Sequence, residues 1–74
     1  MPHINVRHFP KVLTDQEKAE LVSNLTQAIS RAFQCSEGAI SIALDPVEKE
    51  SWNEQVYVPE IMSRADLLVK RPNY

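Results

Sequence analysis

Apolar and polar residues alternate at the start of the chain: Ile4 and Val6 interleave with Asn5 and Arg7, and His8 and Phe9 follow. A period of two marks a half-buried strand. Pro10 lacks the N–H that a ladder needs and ends it. Beyond Thr14 the period changes. Leu21, Val22, Leu25, Ala28, Ile29, Ala32 and Phe33 follow one another in steps of one or three, the spacing of a single helical face. Lys18, Glu20, Asn24, Gln27 and Arg31 fall on the other side. Thr14 and Glu17 have the spacing of a capping box, and Asp15 and Glu17 suit the positive end of the helix dipole. The pattern predicts a helix over residues 15–34, with Gly38, the only glycine, in the turn that leaves it. The period of two then returns over Ala39–Asp45, with Ile40, Ile42 and Leu44 on one face and Pro46 closing the strand.

A helix of about 20 residues spans roughly 30 Å, and a seven-residue strand about 23 Å. The helix is therefore long enough to return the chain and lay the second strand parallel to the first, in a right-handed β-α-β crossover. Ser51-Trp52-Asn53-Glu54 has the form of a second capping box, opening a short turn up to Tyr57. Pro59 suits the first position of a last helix. That helix takes Ile61, Met62, Ala65, Leu68 and Val69 as its apolar face, ends at Lys70 and Arg71, and is stopped by Pro72. The fold class is α/β: one domain over residues 1–74, a β-α-β protomer with a short C-terminal helix, without repeat or linker.

Such a protomer is incomplete. Two strands are marginal in water, and parallel sheets normally have both faces covered. A chain of 74 residues ordinarily needs a disulfide, a metal or a partner subunit. Cys35 is the only cysteine, and it and the two histidines lack zinc-type spacing. Oligomerisation remains. Two copies would form a dimer with a four-stranded sheet and two helices on one face.

Composition narrows the function. Hydrophobic residues make up 43% and charged residues 24%, with a formal net charge of -2. Without a basic run, a dedicated nucleic-acid partner is not expected. No stretch reaches the roughly 20 apolar residues of a membrane span, and Met1-Pro2 leads straight into a strand rather than a signal peptide, so a cytoplasmic protein is expected. His3 and His8 are five apart on a strand, point to opposite faces and cannot jointly hold a metal. Cys35 has no Cys-x-x-Cys partner, and one glycine cannot build a phosphate loop. Glu48, Lys49 and Glu50 form a solvated charged loop. Trp52 is either core or interface filler, or a pocket wall. Pro2 differs because its position alone makes chemistry possible. Removal of Met1 turns its nitrogen into a free secondary amine, and apolar surroundings or a nearby Lys or Arg lower the pKa of such an amine toward that of a useful general base.

Pro2 opening a strand, Thr14-Asp15-Gln16-Glu17-Lys18, the Leu21…Ala28-Ile29-Ser30-Arg31 helix and Ile40-Ser41-Ile42 together resemble the 4-oxalocrotonate tautomerase family. His3, Phe9-Pro10-Lys11 and the tail from Ser51-Trp52 to Pro72-Asn73-Tyr74 are similar to its PptA-like subgroup. The resemblance implies a cofactor-independent keto–enol tautomerase, a homodimer rather than a hexamer, and Pro2 as the catalytic base. It also implies Lys11 near one substrate-binding arginine position and Trp52 as the aromatic wall. The second-strand position that carries an arginine in founding members is Ser41 here. A single neutral hydroxyl cannot grip a carboxylate as a guanidinium does. The expected substrate is therefore a small enol acid with one carboxylate, such as phenylenolpyruvate. The rival expectation is a non-catalytic oligomeric interaction module with the same fold.

Overall fold

In the computed structural model, which describes residues 1–74, β1 (His3–His8) and β2 (Ser41–Pro46) form a parallel two-stranded sheet. The register pairs His3 with Ser41, Asn5 with Ala43 and Arg7 with Asp45 on one face. Ile4, Val6 and His8 pair with Ile42, Leu44 and Pro46 on the other. β2 begins at Ser41 rather than Ala39, because Glu37–Ala39 closes as one tight turn before the strand. The β-α-β order and the parallel strands are as the sequence predicts.

The connecting helix, α1 (Asp15–Phe33), starts at the expected cap. Thr14 Oγ1 accepts from the Glu17 N–H at 3.1 Å, and Glu17 Oε1 accepts from the Thr14 N–H at 2.9 Å. The Thr14 backbone donor, followed by the Thr14 hydroxyl and the positive charge of Lys11, holds the Glu17 carboxyl below its ordinary value of 4.5. A folded-state pKa that is lowered stabilises the native state fully above 4.5, and this support fades as pH falls through the lowered value. Thermal unfolding followed by circular dichroism should therefore show a shallower acid-side loss of stability in Glu17→Gln than in the parent. Parallel acid limbs would refute this.

The other end of α1 departs from expectation. The residue in the left-handed region is Gln34, at φ 51°, and Gly38 takes no positive φ. Ser30 explains the difference. Its carbonyl accepts from the Gln34 and Cys35 N–H groups, and its hydroxyl donates to the Cys35 carbonyl at 2.7 Å. The helix end is satisfied before the chain reaches Gly38.

The C-terminal region corrects the predicted last helix. A tight helical turn at Lys49–Ser51 leads through Trp52 into a π-helix, Asn53–Met62, with Pro59 inside it rather than at its start, and no side chain caps it, so the expected Ser51–Glu54 capping box does not form. Pro59 has no N–H and its ring crowds the carbonyl four residues back. Bonding that reaches five residues back accommodates it, as the Ser63 N–H does to the Val58 carbonyl at 3.0 Å. Beyond Met62 there is one further turn, Ala65–Leu67, and an irregular tail to Tyr74. Arg7 anchors the π-helix to the sheet: its Nη1 donates to Glu60, and its Nε lies 3.0 Å from Asp45, an ionic contact that is not aligned as a hydrogen bond.

The protomer has almost no core of its own. Only Val47, just after β2, and Val56 in the π-helix are buried, each 4% exposed. Leu21, Leu25 and Ile29 are half-buried along one stripe of α1, whereas Val22, Ala28, Ala32 and Phe33 stay exposed. The apolar arc read from the sequence is wider than two strands can cover. No helix is long and apolar enough to cross a membrane.

Candidate functional site

Pro2 sits at the head of β1, half-buried. Its carbonyl accepts from the Ser41 N–H at 3.2 Å, so the sheet holds the chain terminus in place. Around it lies an open depression of about 450 Å³ lined by Met1, Pro2, His3, Ile4, Ile29 and Phe33. Met1 projects fully into solvent. With Met1 attached the Pro2 nitrogen is an amide. Without it the nitrogen is a free secondary amine at a depression whose lining includes Ile4, Ile29 and Phe33.

Lys11 and Trp52 lie at the other end of the strand. Lys11 is exposed, in the connection after β1, beside a depression that also takes in Val6, His8, Phe9, Leu13, Leu21 and Leu44. Phe9 borders this depression and a second, wholly apolar one of about 480 Å³ formed with Trp52 and Tyr74. The Phe9 and Trp52 rings meet edge to face, 5.0 Å apart at 88°, a favoured arrangement for their quadrupoles. Trp52 Nε1 donates to the Tyr74 hydroxyl at 3.2 Å. Phe9 thus borders both the depression beside Lys11 and the one formed with Trp52, which Lys11 and Trp52 do not share, and Pro2 lines neither. Six strand residues at about 3.3 Å each put the two ends of the strand roughly 20 Å apart.

Sequence reasoning passed over two features. The first is Tyr74, whose approach to Trp52 depends on the path of the irregular tail. The second is the pairing of His3 Nδ1 with Ser41 Oγ at 2.6 Å. Only the strand register reveals it, since 38 positions separate the two residues. No three His, Cys, Asp or Glu side chains converge as a metal site.

Comparison with known proteins is consistent across the chain. A family model described as "Tautomerase enzyme" matches residues 2–60. A protein named Tautomerase PptA from Enterobacter sp. is 36% identical over 74 residues, covering 100% of this chain and 97% of the relative. Proteins of the same name from Cronobacter sakazakii and Pectobacterium carotovorum are 39% and 35% identical over the same shares of each chain. These relatives carry an enzyme's name, which favours chemistry over the rival expectation of an interaction module.

Proposed function

The chain belongs to the tautomerase family of enzymes, and on that premise we propose that it interconverts the enol and keto forms of a small enol acid, with the Pro2 amine as general base after removal of Met1. The observation that carries this reading is the setting of Pro2: half-buried at the head of β1, with its carbonyl tied to Ser41, in a depression lined also by Ile4, Ile29 and Phe33. The amine takes the proton of the enol hydroxyl and returns one to the neighbouring carbon. The O–H bond breaks, the C–O bond becomes a carbonyl, and the C=C bond becomes single as the new C–H bond forms. The base ends as it began, so no cofactor is consumed. A positioned base near its working pKa is sufficient for such a shuttle.

Substrate recognition falls to Lys11 and Trp52. The Lys11 ammonium attracts the carboxylate, and Trp52 with Phe9 offers an apolar wall to an aryl group. Because these groups and Pro2 occupy opposite ends of β1, a complete site needs two copies. Antiparallel pairing of two β1 edges brings Pro2 of one protomer toward Phe9, Lys11 and Trp52 of its partner and extends the sheet to four strands.

The substrate follows from the electrostatics. With Ser41 where founding members carry an arginine, a dicarboxylate has one guanidinium fewer to bind it, a difference of about 10–100-fold. Steady-state assays of the Met1-free protein should give phenylenolpyruvate a kcat/KM at least about tenfold above that of a dicarboxylate hydroxydienoate. Near-equal values would sink the monocarboxylate reading.

A further inference from the structure

Three cross-strand pairs share one face of the sheet: His3 with Ser41, Asn5 with Ala43, and Arg7 with Asp45. Their fates differ. Arg7 is spent on Asp45 and Glu60, under the π-helix. Ala43 offers Asn5 no polar side chain. His3 and Ser41 are both exposed, yet Nδ1 and Oγ lie 2.6 Å apart. An exposed hydrogen bond of this kind competes with water and adds little to stability. His3 follows Pro2 directly, with about 3.8 Å between consecutive Cα atoms. It also lines the Pro2 depression, and Ser41 is the residue whose N–H holds the Pro2 carbonyl.

We propose that His3 is a substrate-binding residue of the Pro2 site and that Ser41 is its positioning residue. With the Ser41 hydroxyl donating to Nδ1, the neutral ring carries its proton on Nε2 and presents a single fixed donor at the rim of the depression. That donor takes one carboxylate or enolate oxygen of a 2-oxo acid or its enol while the reacting carbon faces the proline nitrogen. One neutral N–H serves one oxygen, which matches a substrate with one carboxylate rather than two. This inference rests on the Pro2 reading and adds a residue to it. Ser41, which weakens the expected arginine grip, becomes half of the device that takes its place.

The test uses the Met1-free protein, phenylpyruvate as a binding probe in NMR, and phenylenolpyruvate as substrate. Titration should shift the His3 ring signals saturably. His3→Ala should lower kcat/KM by about 10–30-fold, chiefly by raising KM, and His3→Gln, which keeps a side-chain N–H, should recover part of the loss. Ser41→Ala should cost about 3–10-fold, and Ser41→Thr should restore most of it. A pair that is merely structural would lower Tm and leave the kinetics of the folded protein unchanged. His3 signals that ignore the probe, or His3→Ala and Ser41→Ala within twofold of the parent while Pro2→Ala is inactive, would overturn the inference and leave the Pro2 reading standing. An unchanged rate in Pro2→Ala would overturn both.

Discussion

Replacing Pro2 with alanine in the Met1-free protein should lower kcat for ketonisation of an enol acid by about 10²-fold or more, the scale of a lost general base. The fold should not change. The only backbone bond that Pro2 makes is through its carbonyl to the Ser41 N–H, and alanine keeps that acceptor. Pro2 is half-buried in an open depression rather than packed in a core, so the smaller side chain leaves no closed cavity. What changes is the nitrogen. A primary amine replaces a ring-locked secondary amine, with a different basicity and a freer lone pair, so some residual rate is expected. Protein that retains Met1 should lose more than the alanine variant, because an amide nitrogen is no base at all. Mass spectrometry identifies the terminus, circular dichroism checks the fold, and steady-state kinetics reads the loss. A Pro2→Ala enzyme that turns over at the parent rate would remove Pro2 from the mechanism.

Dilution should unfold this protein. A compact chain of 74 residues has a radius of gyration of about 11 Å, whereas this protomer reaches 13.9 Å. A folded monomer of 8.5 kDa exposes about 4,700 Å², whereas this one exposes 5973 Å². The excess, roughly 1,300 Å², is of the size that one partner hides in an obligate dimer. Much of it is apolar: Val12, Val22, Phe33, Met62, Leu67 and Val69 are between 45% and 104% exposed. With only Val47 and Val56 buried, the isolated protomer has little to set against the entropy of ordering its chain. Folding and association should then be one equilibrium. Each tenfold dilution should lower Tm by about 3–5 °C, from 1.4 kcal/mol per decade for the dimer set against the unfolding entropy of its two chains together. Sedimentation should find a dimer wherever circular dichroism finds the fold. A folded monomer with a concentration-independent Tm would refute the packing argument.

The parts of the fold legible in advance are those set by neighbours along the chain. Thr14 and Glu17 are three residues apart, and a helix start that depends on so short a range can be read from the letters alone. The same holds for the two strands, whose alternation and closing prolines are local. The last helix failed where a local rule met a second option. Pro59 is well suited to open a helix, but it is also tolerated inside one whose hydrogen bonds reach five residues back. Gly38 was the natural residue for the left-handed position, yet Ser30 satisfied the helix end at Gln34 first.

Among the candidate site residues, Pro2 was picked out in the sequence by its second position together with the family resemblance. The partners of Pro2 were not. Lys11 and Trp52 lie at the far end of β1, and the residue bonded to Pro2 is Ser41.

By itself, then, the sequence determined the order β-α-β and the start of α1, because each is governed by periodicity or capping. Tertiary structure alone decided three other things. It set His3 against Ser41 and Arg7 against Asp45, brought Tyr74 to Trp52, and left the protomer with two buried side chains and a wide apolar surface. These outcomes depend on strand register and on how much surface two strands and one helix can hide, quantities that belong to the packed chain and to no single stretch of it.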